Sequence, residues 1–198
     1  MPVAMRPEVT DYVAWGNLVK SWAKGDKPLP TTLANFISQC DNADVGMLMP
    51  NYINDLFVLQ KPKTVFVLVN DDVWSSTDDG ETWKPANARS TFPWHYVRHI
   101  SSKPNEPSTV LVSVGDATPG RTGAIMRSTD AGQTWASLPL PAAPNSAMWY
   151  TTYARQEPGL VLAASRYGNF YRSEDNGDSW ERLWREFSEV SSIAWVPD

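Results

Sequence analysis

The chain has 198 residues, 42% hydrophobic and 20% charged, with ten Trp and sixteen Pro. That composition excludes disorder and sets the scale at one folded, loop-rich domain with an aromatic core, or one domain and a small appendage. A formal charge of −5 and a pI near 5.0 leave no basic face to gather phosphates, which argues against nucleic acid as a partner.

The first fifty residues read as helical. Tyr12, Trp15, Leu18, Val19 and Trp22 recur at helical spacing after the capping residues Thr10 and Asp11, and Gly25 stops the run. Leu33, Phe36, Ile37 and Cys40 repeat the pattern after Thr31 and Thr32. The reading is an N-terminal segment over 1–50 of two short amphipathic helices joined by "GDKPLP", with their stripes packed on the rest of the chain. Docking a partner protein is the alternative. Cys40 is the only cysteine, so an intramolecular disulfide and a Cys-rich zinc site are excluded, and a buried, inert thiol in a reducing compartment fits. The N-terminus lacks a charged region followed by an apolar one, and no apolar run approaches the ~18 residues of a membrane span. A soluble, cytoplasmic protein with no membrane partner is expected.

Residues 51–198 are repetitive. "INDLFVLQKP", "YVRHISSKP", "YTTYARQEP" and "VSSIAWVP" end at Pro62, Pro104, Pro158 and Pro197. After each of the first three comes a short apolar, β-branched run, "TVFVLVN", "TVLVSVG" or "LVLAASR", as expected of a strand covered on both faces. Then come "VWSST", "AIMRST" and "NFYRSED", a turn, and "TWKPA", "TWASLP" and "SWERLW". Each unit therefore reads as four antiparallel strands, A to D. The turns, "SSTDDGETW", "RSTDAGQTW" and "RSEDNGDSW", begin at Ser76, Ser128 and Ser173, spaced by 52 and 45 residues. Propeller blades repeat every ~40 to 50 residues.

The turn has a physical logic. Asp78, Asp130 or Asp175 can accept backbone N–H bonds across its own turn, and Gly80, Gly132 or Gly177 supplies a conformation closed to other residues. Trp83, Trp135 and Trp180 are expected on the outgoing strand, wedged between neighbouring sheets. Ser-x-Asp-x-Gly-x-Thr-Trp at blade spacing resembles the Asp-box, or bacterial neuraminidase repeat, β-propellers. That superfamily includes sialidases, xyloglucan-cleaving hydrolases, sortilin-type receptors and a photosystem assembly factor. The third box departs from the pattern with Ser179 in place of Thr. The resemblance implies a mainly β fold, a small or partial propeller of about three to four blades behind the helical segment. It also implies that ligands bind on the face opposite the boxes.

Three complete units and a fourth A strand, "VSSIAWVPD", fall short of a ring, and closure is what removes sheet edges. A homo-oligomer or a protein partner is expected to cover the edges, with a compact four-bladed or open monomer as the alternative.

On the ligand face, the second unit has 24 residues from repeat Pro to box Ser against 14 and 15 in the others, the excess lying in "GDATPGRTGA". The candidate ligand-binding residues are Asp116 and Arg121 on that loop, Trp94 and His95 before the second A strand, Trp149 before the third, and Arg166 and Tyr167 in the third B–C turn. Rings that stack on sugars and guanidiniums that fork carboxylates suit a glycan or an acidic group. Simple packing is the competing reading. His95 and His99 on one strand lie about 13 Å apart, too far for one ion, and the acidic runs lack a calcium-loop pattern, so no metal or cofactor is expected.

Arg98, Arg121, Arg155 and Arg166 carry no recognisable catalytic motif, and six blades would need about 270 residues. The sequence therefore reads as a non-catalytic binding or assembly subunit. The alternative is a glycosidase or lectin using the enlarged second loop.

Overall fold

The computed structural model describes residues 53–157 and 159–194. The expected N-terminal helices and the last four residues of the expected fourth A strand lie outside those residues; Ser191–Ala194 carry no strand.

Among the described residues, twelve strands form three four-stranded antiparallel sheets. The first is β1 (Ile53–Gln60), β2 (Lys63–Val69), β3 (Asp72–Ser76) and β4 (Lys84–Pro85). The second is β5 (Tyr96–Lys103), β6 (Glu106–Gly115), β7 (Gly123–Ser128) and β8 (Ala136–Ser137). The third is β9 (Met148–Tyr153), β10 (Val161–Ser165), β11 (Asn169–Ser173) and β12 (Glu181–Glu186). Within each sheet the strands neighbour one another in chain order, the up-and-down meander of a propeller blade. The A-to-D reading of the three units holds.

The core lies between sheets. Phe57, Phe66, Leu68 and Val73 of the first meet Val97, Ile100, Val112 and Met126 of the second. Leu111, Ile125 and Leu138 of the second meet Met148, Ala163, Tyr171 and Trp180 of the third. The middle strands β2 and β6 send successive side chains into two different cores, which is why their segments read as unbroken apolar runs.

The boxes staple the C and D strands. The hydroxyls of Ser76, Ser128 and Ser173 donate to Asp78, Asp130 and Asp175 at 2.7–2.8 Å and accept the N–H of Gly80, Gly132 and Gly177 at 2.8 Å. The same carboxylates accept the N–H groups of Thr82, Thr134 and Ser179 at 2.8–2.9 Å. Ser179 bonds Asp175 through its hydroxyl at 2.6 Å as Thr134 bonds Asp130, so the departure in the third box costs no contact.

Two details differ from the sequence reading. Trp83, Trp135 and Trp180 precede the outgoing strand instead of lying on it, and each indole donates to its box glycine carbonyl at 2.9–3.1 Å. The residue before each glycine, Asp79, Ala131 or Asn176, is also left-handed. A short helix outside the strand pattern, α1 (Ala88–Thr91), comes after the first blade; its first N–H bonds the Asp72 carboxylate at 3.0 Å.

Candidate functional site

The loops opposite the boxes gather at one end. The N–H of Ala147 bonds Pro119 of the second B–C loop at 2.8 Å, and the Ala147 carbonyl accepts the N–H of Arg166 in the third at 2.9 Å. Of the expected ligand residues, Trp149 and Arg166 come together, with the guanidinium 4.8 Å from the ring centroid. Arg98 stacks on the same ring at 4.3 Å. Trp149 lies inside β9, not ahead of it, and its ring carries two cations. Arg166 also pairs with Glu189 at 2.6 Å and bonds the Val190 carbonyl at 3.1 Å, tying down the segment after the third blade.

The other candidates stand apart from that stack. Asp116 folds its own loop, accepting the N–H groups of Arg121 and Thr122 at 2.8 and 3.3 Å. Burial works to raise its carboxyl, yet these donors hold it below the ordinary carboxylate value. The Arg121 side chain is exposed, Tyr167 is exposed and anchored through its N–H to Ser146, and Trp94 and His95 lie just ahead of β5. His95 and His99 are not on one strand: His99 is buried inside β5, 3.8 Å from Asp55 and stacked on Tyr150 at 3.8 Å between centroids.

A concavity lies elsewhere, on the wall made by the inner strands β1, β5 and β9. These strands are laced together at one level: Asp55 accepts the Ile100 N–H at 3.1 Å, and the hydroxyls of Ser101 and Thr151 meet at 3.1 Å. From there to the A–B turns the strands enclose a cavity of about 640 Å³. Its lining includes Lys61, Lys103 and Arg155, and no carboxylate among the described residues. Lys103 pairs with Glu106 outside the lining at 2.8 Å. Lys61 and Arg155 are exposed and have no carboxylate partner among the described residues. Hydroxyls of Ser101, Thr151 and Thr152 and the rings of Tyr150 and Tyr153 complete the wall. The Tyr153 hydroxyl is buried with no hydrogen-bond partner among the described residues, and burial pushes its ionisation up. A wall lined by Lys61, Lys103 and Arg155 and by no carboxylate among the described residues, in a chain of charge −5, suits an anionic guest.

The sequence reading did not find this cavity. Its signal was present in the A–B turns, where Lys61 and Lys103 each precede the repeat proline and Arg155 stands three residues ahead of it.

Residues 63–197 match the family model described as sortilin, neurotensin receptor 3. The chain belongs to the sortilin–Vps10 family. No curated protein matches this family member. Among solved structures it is similar to an ancestral GH74 enzyme, at 15% identity and a TM-score of 0.55, over 66% of this chain and 18% of that one. The GH74 enzyme of Niastella koreensis is similar at 15% identity and a TM-score of 0.53, over 66% and 22%. YCF48 from Cyanidioschyzon merolae is similar at 21% identity and 0.52, over 68% and 40%. The sortilin–Vps10 chain thus spans 18% to 40% of the length of these structures, and what it shares with them is the Asp-box propeller fold. Among the described residues, no helix is long and apolar enough to cross a membrane, and no group of three His, Cys, Asp or Glu side chains is placed to hold a metal ion.

Proposed function

We propose that the chain is a non-catalytic binding or assembly subunit that holds an acidic segment of a partner protein against its inner strands. The observation that carries this reading is the lining of the 640 Å³ cavity: Lys61, Lys103 and Arg155 at its edge and no carboxylate among the described residues. A glutamate- or aspartate-rich stretch gains there what the rest of an acidic surface denies it. The family's description as a receptor agrees with a binding role.

The glycosidase alternative needs two placed carboxyl groups, or a Tyr nucleophile with an acidic partner, and the cavity wall offers no acid among the described residues. At the opposite end two guanidiniums, of Arg98 and Arg166, already lie over the Trp149 ring and compete with a sugar for it.

Charge reversal tests the reading. Lys61→Glu with Arg155→Glu is expected to weaken binding of a fluorescent glutamate-rich peptide at least tenfold, while Arg121→Glu on the far end leaves it unchanged. Equal loss from both would mean that only net charge matters, and the cavity would be the wrong place.

A further inference from the structure

The outermost strands of the three blades are not equivalent. β4 and β8 have two residues each; Pro85 ends β4, where its missing N–H blunts the sheet edge, and Pro139 follows two residues after β8. β12 has six residues, Glu181–Glu186, with no proline, and among the described residues it pairs with β11 on one side only. Its register slips: Arg182 faces Tyr171 and Glu186 faces Asn169, so its middle holds two more residues than the strand beside it. The extra residues leave ladder groups without a partner. The two most exposed large apolar side chains among the described residues sit here, Trp184 at 85% and Phe187 at 53%. Arg185 lies over the Trp184 ring at 5.1 Å but leaves it in solvent, and an exposed edge with such a side chain is a template for another strand.

We infer that β12 is a self-association edge, pairing antiparallel with β12 of a second copy about a two-fold axis through Trp184. The charges select this occupant. A two-fold normal to the sheet keeps each sheet face continuous, so residues of like parity oppose one another. Centred on Trp184, that register sets Arg182 against Glu186 of the second copy, twice. Registers of like parity centred on Arg182 or on Arg185 would set that arginine against itself. Opposite charges directly across an antiparallel pair stabilise it and like charges oppose it. Within one chain Arg182 and Glu186 already pair with each other, so dimerisation exchanges the exposed pair within each chain for two pairs between chains, and the gain is the covering of Trp184.

The inference does not rest on the cavity reading, and its test leaves Lys61 and Arg155 untouched. The solution mass is followed by sedimentation over a concentration series, with circular dichroism showing that each variant is folded. The unaltered chain is expected to move from 22.1 kDa to twice that mass. Arg182→Glu places acid on acid at both contacts and Glu186→Arg places base on base, so each alone is expected to remain at the single-chain mass. An equimolar mixture of the two variants restores opposite charges at both contacts and is expected to return to the doubled mass. The pair within each chain stays broken in that mixture, so recovery reports contact between chains. Trp184→Asp is expected to remain single in every mixture. A single-chain mass for the unaltered protein throughout the series would overturn the inference, and so would a doubled mass that survives Trp184→Asp.

Discussion

Ser128 is 1% exposed and makes three bonds with one hydroxyl, to the Asp130 carboxylate at 2.7 Å and from the N–H groups of Gly132 at 2.8 Å and Asp130 at 3.3 Å. Ser128→Ala strands the glycine N–H inside the turn. The expected loss is about 1–3 kcal/mol, read as a lower urea midpoint with an unchanged slope. The box carboxylates add a pH dependence. Hydrogen bonds from the hydroxyl and N–H of Thr82 and from Ser76 hold Asp78 at about 2 against an ordinary 3.8, and Ser179 and Ser173 do the same for Asp175. A carboxyl whose value is lowered by folding contributes stability that is complete above its unfolded value and is lost as pH falls through the folded one. Stability is therefore expected to decline from about pH 4 toward about pH 2. In Asp78→Asn with Asp175→Asn, acid titration of the unfolding midpoint should show a lower plateau at neutral pH and a flatter fall over that window; an unchanged fall would assign it to other groups.

Between elements, the box glycines do more than turn the chain. Gly132 has φ of +88°, and a Cβ there would come within 2.6 Å of Phe66 Cε1, across the joint of the first two blades. Gly132→Ala therefore combines backbone strain with a displaced core ring, and about 2 kcal/mol or more of destabilisation is expected in thermal or urea unfolding. The repeats made the strands legible: β2, β6 and β10 fall on the three apolar runs, and the boxes fall where Ser, Asp and Gly recur. What the sequence did not disclose was set by packing. The outgoing strands β4 and β8 stop after two residues, and box tryptophans expected on strands cap glycine carbonyls instead. Helix α1 depends on the carboxylate of Asp72, sixteen residues before Ala88, a contact no local pattern announces.

Across the whole molecule, the candidate site was less legible than the fold. Sequence spacing placed Trp149 and Arg166 at the end opposite the boxes, and they do meet there, but as a cation stack with Arg98 rather than as an open pocket. The cavity arises from side chains more than forty residues apart, Lys61, Lys103 and Arg155, which only the convergence of β1, β5 and β9 brings to one wall. The claim that this wall receives an acidic partner is tested most directly by fluorescence anisotropy. A labelled glutamate-rich peptide and a lysine-rich peptide of the same length are each titrated with the unaltered protein at low and moderate salt. Saturable binding of the acidic peptide alone, weakening as salt rises and abolished by Lys61→Glu with Arg155→Glu, is the predicted result. Equal binding of both peptides, or of neither, would contradict it.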